Sequence, residues 1–387
     1  MCIRDSPIRV AWFSLVQPAL MLNYFGQGAL LLADRQAAAQ PFYLLAPQAL
    51  LYPLIALATM AAVIASQALI SAVFSLTRQA VQLGYSPRMA IRYTSAETMG
   101  QVYIPQMNWA LMIATIGIVV TFRSSSALAA AYGIAVTMTM GITTALAYVI
   151  SRQVWGWSRL AAGAAAFTFI VADLAFLGAN ALKIAHGGWV PLVIALIGFL
   201  IMTTWKRGRE IVGERLRARA YPFAEFVKDI TANPPHRVAG TAVFMTGTGT
   251  GTPPTLLHNL EHNKVLHEQV VLLTVITADV PLVAPEDRFR VEPLAEGFFR
   301  VIVAYGFTEA PDVPAALEEL GSHGLRVDLA TTTFFLGRET LLATHRPGMA
   351  VWRERLFVLM SSNAMRATTF FNIPSERVVE LGMQLEL

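Results

Sequence analysis

Charge is the scarce material in the first half of this sequence. Of 29 Lys/Arg and 25 Asp/Glu in 387 residues, positions 1–205 hold 10 and 4, and positions 206–387 hold the other 19 and 21. A wholly soluble chain of this length does not leave half of itself nearly uncharged, so that class is excluded. Cysteine is scarcer still. Cys2 is the single one, so no disulfide framework can form within the chain, which fits a domain facing the cytoplasm. Met1–Ser6 lack the apolar stretch of a signal peptide and do not read as one, and the first long apolar run begins almost at once, near Val10. The net charge of +4 is an excess of base in the apolar half, the second half being slightly acidic, and it carries no nucleic-acid signature.

What is present in that uncharged half is length. About 20 apolar residues cross the roughly 30 Å of bilayer hydrocarbon. Six runs qualify: Val10–Leu32, Tyr52–Leu76, Tyr103–Phe122, Ser126–Ile150, Leu160–Leu182 and Gly187–Trp205. Basic residues then orient them. If the tail with Lys206, Arg207, Arg209, Arg215, Arg217 and Arg219 is cytoplasmic, Arg4, Arg9, Arg78, Arg88, Arg92, Arg152 and Arg159 are also inside. Only Arg35, Arg123 and Lys183 are then outside. The positive-inside rule is met at every loop, which predicts six spans with both ends in the cytoplasm.

The spans are not uniformly apolar. Asn23, Tyr24, Gln27, Ser66, Gln67, Ser71, Ser75, Tyr132, Thr137, Thr139, Thr143, Thr144 and Asn180 lie at or near membrane depth, and Gly26, Gly28, Gly133 and Gly141 punctuate the helices. Hydroxyl, amide and carbonyl oxygens suit an unhydrated alkali cation, and Gly-interrupted helices mark transporter pathways. Small and polar residues also mediate ordinary helix packing. Taken as a set they read as an ion or solute pathway, with Asn23, Tyr24, Gln27, Ser66, Gln67, Ser71, Tyr132 and Thr137 as its candidates.

Several phrases of the sequence resemble one family. Asn23-Tyr24-Phe25-Gly26-Gln27-Gly28-Ala29, Pro41-Phe42-Tyr43-Leu44-Leu45-Ala46-Pro47 and Ile64-Ala65-Ser66-Gln67-Ala68-Leu69-Ile70-Ser71 are similar to the Kup/HAK/KT potassium-uptake family. So are Gln82-Leu83-Gly84-Tyr85-Ser86-Pro87-Arg88, Gln101-Val102-Tyr103-Ile104-Pro105, Ala130-Ala131-Tyr132-Gly133-Ile134-Ala135-Val136-Thr137, Gly187-Gly188-Trp189-Val190-Pro191-Leu192 and, in the tail, Tyr305-Gly306-Phe307. The likeness runs from about Pro7 to Leu387; Met1–Ser6 do not share it. It implies a twelve-helix membrane core of LeuT-like, amino acid–polyamine–organocation architecture, of which these six spans would be the seventh to twelfth. It further implies K⁺ uptake as K⁺/H⁺ symport by alternating access at the bacterial inner membrane. In that architecture the first, third and sixth helices hold most of the ion ligands, so the chain is expected to be N-terminally truncated and not to transport by itself.

Asp173 is the one acid deep inside an expected span. A carboxylate at that depth is paired, protonated or facing a cavity. One reading makes it a proton-coupling group, the other a hydrogen-bonded structural acid near Asn180 or Lys183. His258-Asn259-Leu260-Glu261-His262 has the H-x-x-E-H spacing of an inverted zinc protease, but no third ligand stands at a telling distance, so a packing helix and no metal are expected. Thr246–Thr252 alternates Thr and Gly without the Gly-Lys-Ser/Thr ending of a phosphate loop and reads as a surface loop. The basic segment 206–220 reads as a juxtamembrane linker, its arginines either touching anionic lipid or obeying the positive-inside rule.

From 221 onward short apolar runs alternate with helix-like stretches. Thr241–Met245, Val270–Ile276, Phe299–Val303 and Arg326–Phe335 read as strands, and Pro254–His267 and Val313–Leu320 as helices. This predicts a cytosolic α/β domain with a buried sheet, serving regulation or a homodimer contact. No catalytic constellation and no cofactor motif stand out, so no enzyme is expected. A membrane receptor or sensor working through its cytosolic domain is the alternative to transport, and a membrane zinc hydrolase a third reading resting on the one H-x-x-E-H motif.

Overall fold

The computed structural model describes residues 2–93, 102–218, 221–247, 251–342, 344 and 348–386. The chain divides into two compact units, Met1–Ala72 and Val73–Leu387, each described by itself.

In the first unit the backbone is helical from Cys2 to Ala33, passing through a π turn at Trp12–Val16 before α1, Gln17–Ala33. Pro18 follows the π turn directly and, having no N–H, gives no donor to the helical ladder there. At 1.5 Å per residue the 17 residues of α1 reach only about 26 Å, so the run expected over 10–32 crosses a bilayer only with the π turn included. After Asp34, whose carboxylate accepts the Gln36 N–H at 2.8 Å, short 3₁₀ and α turns lead to α2, Leu51–Gln82, which enters the second unit at Val73.

The second unit continues with α3 (Pro105–Phe122), α4 (Ser125–Gln153), α5 (Arg159–Ala181) and α6 (Trp189–Ala218). Tyr103, expected to open the third span, instead pairs with Arg92 in a two-residue antiparallel bridge. α3 ends on Arg123 in the left-handed region, and Ser158 caps α5 by accepting the Ala161 N–H at 3.1 Å. Among the described residues five helices are long and apolar enough to cross a membrane: Gln48–Gln82, Pro105–Phe122, Leu128–Gln153, Arg159–Ala181 and Trp189–Ala218, with mean hydropathy between 1.4 and 2.0. These fit a polytopic membrane domain. The stretch 206–220 continues α6 as helix to Ala218; Arg219 lies outside the described residues.

Beyond α6 the chain forms a six-stranded sheet. Its elements are α7 (Phe223–Ala232), β1 (His236–Met245), α8 (Pro254–Asn263), β2 (Val265–Ala278), β3 (Phe289–Ala295) and β4 (Phe298–Gly306). These are followed by α9 (Val313–Glu319), β5 (Thr332–Leu342), α10 (Val351–Ser362) and β6 (Val378–Glu386). The strand order is β3-β4-β2-β1-β5-β6, parallel throughout except for β3. Both faces are buried, which is why the strands read as continuous apolar runs. Val243, Val271 and Val301 pack with Val313 and Leu317 of α9 on one face; Ala242, Phe244 and Leu272 pack with Phe226 of α7 and Leu256 of α8 on the other.

Two expectations change here. The helix expected over Pro254–His267 ends at Asn263, because Lys264 turns left-handed at φ 58° and Val265 starts β2. The strand expected over Arg326–Phe335 begins only at Thr332, after a 3₁₀ turn at Leu329–Thr331 capped by Asp328.

Two helix ends hold this domain. On α6, Trp205 and Gly208 lie against Phe357 of α10, the rings 5.3 Å apart, and Arg353 donates to Thr204 at 2.9 Å. On α2, Arg78 donates to the Thr308 carbonyl and Gln82 to that of Glu309 at 3.0 Å. The turn offering those carbonyls is fixed by Gly306, whose missing side chain leaves room for the Pro281 carbonyl, and by Glu309, which accepts from the Val283 N–H and pairs with Arg288.

Candidate functional site

An open groove of about 520 Å³ runs between α4 and α5, lined by Tyr132, Thr139, Thr143 and Thr144 from α4, Phe169 and Asp173 from α5, and apolar residues between them, with Tyr132, Thr139, Thr143 and Phe169 exposed along it. The helical repeat builds this wall: Tyr132, Thr139 and Thr143 are separated by seven and four residues and share one face. Thr144 stands next to Thr143, and its hydroxyl donates to Oδ2 of Asp173 at 2.6 Å across the helix pair. Asp173 is 6% exposed. Thr139 and Thr143 donate their protons back along the helix, to the carbonyls of Ala135 at 2.9 Å and Thr139 at 2.8 Å. A hydroxyl whose proton is so engaged keeps its lone pairs as acceptors. The wall thus offers four hydroxyl oxygens and a carboxylate in otherwise apolar surroundings, a donor set suited to a monovalent cation or to a proton.

The helices approach closely around this groove. A side chain at Gly133 would meet Asn180 Oδ1 at 2.5 Å, and one at Gly188 would meet Ile134 at 2.7 Å. Gly133 is therefore a packing glycine in an unbroken helix. Lys183, weighed as a neighbour for Asp173, forms no ion pair with it among the described residues, and Asn180 donates instead to the Phe176 carbonyl at 3.1 Å.

Of the sequence candidates, the structure brings Tyr132 and Asp173 into one groove wall. Thr137 is buried outside that wall and, like Thr139 and Thr143, donates to carbonyls of its own helix, those of Gly133 and Ile134. Asn23, Tyr24, Gln27, Ser66, Gln67 and Ser71 belong to the first unit. There Gln27 donates to Asn23 one turn away, Ser71 to the Gln67 carbonyl at 3.1 Å, and Tyr24, Ser66 and Gln67 are exposed. Thr139, Thr143 and Thr144 are noted in the sequence only as polar residues at depth. The signal that selects Thr139 and Thr143 is their helical register with Tyr132, and Thr144 is selected by its bond to Asp173.

His258 and His262 sit one turn apart on α8 with rings 5.7 Å apart, and no three His, Cys, Asp or Glu side chains among the described residues converge to hold a metal. In the Thr246–Thr252 loop, Thr248, Gly249 and Thr250 lie outside the described residues.

Residues 3–210 match the family described as K⁺ potassium transporter integral membrane domain, and residues 239–387 match the K⁺ potassium transporter C-terminal domain. The chain belongs to the Kup potassium-transporter family. The Kup relative from Myxococcus xanthus, named "Probable potassium transport system protein Kup", is 60% identical over 381 residues, which is 98% of this chain and 58% of the relative. The Kup 1 protein of Geobacter sulfurreducens is 56% identical over 98% of the chain and 60% of its own length. Kup 2 of Chromobacterium violaceum is 53% identical over 99% and 62%. The chain thus spans about three-fifths of the length of these curated Kup relatives.

Proposed function

We propose that this sequence forms part of a potassium-uptake transporter of the inner membrane, coupling K⁺ to H⁺ by alternating access. The observation that carries the reading is Asp173, hydrogen-bonded to Thr144 on a hydroxyl-lined wall between two membrane helices of a Kup-family chain. Asp173 is the proton-carrying group in this account. Tyr132, Thr139 and Thr143 supply oxygens to the ion's path in the second unit, and Asn23, Tyr24, Gln27, Ser66, Gln67 and Ser71 are candidate oxygen donors of the first unit taken by itself. Family membership favours transport over the receptor or sensor reading.

The membrane domain takes six spans, 10–32 included, arranged as the second half of a LeuT-like core, and the α/β domain lies in the cytoplasm. One structural fact supports an even number of spans between α2 and α6. The C-terminal ends of α2 and α6 both meet the α/β domain, as they must if an even number of spans separates them. The domain also provides a homodimer contact in this account.

The test replaces the corresponding three-fifths of the Myxococcus relative with this sequence and measures potassium-limited growth and Rb⁺ uptake in cells lacking their own potassium uptake systems. Uptake by the chimaera supports the reading; a folded, membrane-inserted chimaera that moves no Rb⁺ contradicts it. For the coupling claim, Asp173→Asn should flatten the pH dependence of uptake, and an unchanged pH profile would refute it.

A further inference from the structure

A cavity of about 710 Å³ lies where the ends of α2 and α6 meet the α/β domain. Its walls come from the turn after α2, from α6, from β5 and β6, and from α10 with the segment that follows it. Four arginines line it (Arg88, Arg209, Arg338 and Arg366) against two acids, Glu339 and Glu380. Ser86 and Ser361 add hydroxyl donors. One acid is engaged, since Arg209 bonds Glu339 at 3.1 Å. Arg88 has no carboxylate within ion-pair distance among the described residues. It is held by its surroundings instead: the guanidinium lies 5.5 Å from the ring centres of both Phe370 and Phe371, and its own carbonyl accepts the Met365 N–H at 2.8 Å.

Such a guanidinium is preorganised and underpaired. Its pKa is lowered to about 10, chiefly by burial and then by the like charge of Arg209, with Glu339 partly opposing them. A half-buried arginine of this kind is stabilised by a bound anion, and its fork of donors matches phosphate oxygens. Nothing in ion transport through the α4–α5 groove uses this cluster.

We propose that the groove between the α2 and α6 ends and the α/β domain binds a phosphate-bearing anion through Arg88 and Arg209, with Arg338 and Arg366 at its mouth. The ligand touches both membrane-helix ends and the domain, so its binding strengthens the junction between them. The phosphate comes either from a lipid headgroup, because α6 leads into the membrane, or from a soluble phosphate compound.

Two arms distinguish these sources. Equilibrium binding of radiolabelled inorganic pyrophosphate to the detergent-purified chain tests the soluble arm. Native mass spectrometry of the chain released from phosphatidylglycerol or phosphatidylcholine nanodiscs tests the lipid arm. The expected result is saturable pyrophosphate binding, or selective retention of phosphatidylglycerol, that weakens on the order of ten-fold in Arg88→Gln. Arg300→Gln, an arginine on β4 near Glu292, should leave it unchanged. If Arg88→Gln does not fold by circular dichroism and size exclusion, the doubly substituted Arg338→Gln/Arg366→Gln chain, altered at exposed positions, carries the test. Absence of saturable pyrophosphate binding together with phosphatidylglycerol retention indifferent to these substitutions overturns the proposal. Neither arm requires potassium transport, so the result stands apart from the outcome of the uptake assay.

Discussion

At the scale of residues, Asp173 and Thr144 decide most. Thr144→Val keeps the shape but removes the donor to a buried carboxylate, which costs on the order of 1–3 kcal/mol. Thermal unfolding of the detergent-purified chain should show a lower midpoint for Thr144→Val and recovery in Thr144→Ser; equal midpoints for all three would mean the bond contributes nothing. His267 gives a second prediction. Burial lowers the pKa of its imidazole, and its Nδ1 is enclosed without a partner. The unfolded chain then binds the proton more readily than the folded one, so stability is full above the ordinary value near 6.5 and is lost as pH falls below it toward the lowered folded value. His267→Gln should reduce that acid sensitivity as pH falls below about 6.5, as read by unfolding midpoints at each pH. Asp173 was legible in the sequence because it is a lone acid in an apolar run. Thr139, Thr143 and Thr144 were not singled out, because threonines occur throughout these helices and only the partner helix sets these three apart. Thr137 shows the converse: its place in a family phrase made it a candidate, and it is buried away from the α4–α5 lining.

Elements account for the rest of what was missed. The central strands announce themselves by unbroken apolar runs, since a parallel sheet covered on both faces needs them. α10 does not. Its apolar residues are spread around the helix rather than gathered on one stripe, so Val351–Ser362 carries little helical signal. Yet it holds the junction with α6 through Phe357, which is fully buried against Trp205 and Gly208. Phe357→Ala should cost roughly 3–5 kcal/mol. A Cβ at Gly208 would stand 2.4 Å from the Phe357 ring, so Gly208→Ala should cost about 1–3 kcal/mol by overpacking. If the two helices dock there, Gly208→Ala is partly rescued by Phe357→Leu, a coupling that a double-mutant cycle on unfolding free energies detects. Purely additive effects would argue against the contact.

For the whole molecule, the composition break near residue 205 is visible in the sequence, but the path of the chain across it is not. Polarity changes at Lys206 while the helix does not, since α6 carries its basic turns onward to Ala218 and delivers Ile211 and Val212 to the core of the α/β domain. The proposed sidedness is open to direct test because Cys2 is the only native cysteine. In a Cys2→Ser background, Lys183→Cys should react with an impermeant maleimide from outside the cell and Gly156→Cys only after permeabilisation; the opposite pattern would invert the topology. The central claim is that this Kup-family sequence conducts potassium along a path that includes the α4–α5 groove. Its most direct measurement is Rb⁺ uptake by the chimaera in cells without other potassium uptake, comparing the native sequence with Asp173→Asn at equal membrane abundance. The account predicts saturable uptake, competed by K⁺, whose rise with external acidity is lost in Asp173→Asn. A well-inserted native chimaera that takes up no Rb⁺, or an Asp173→Asn chimaera with the same rate and the same pH profile, would contradict it.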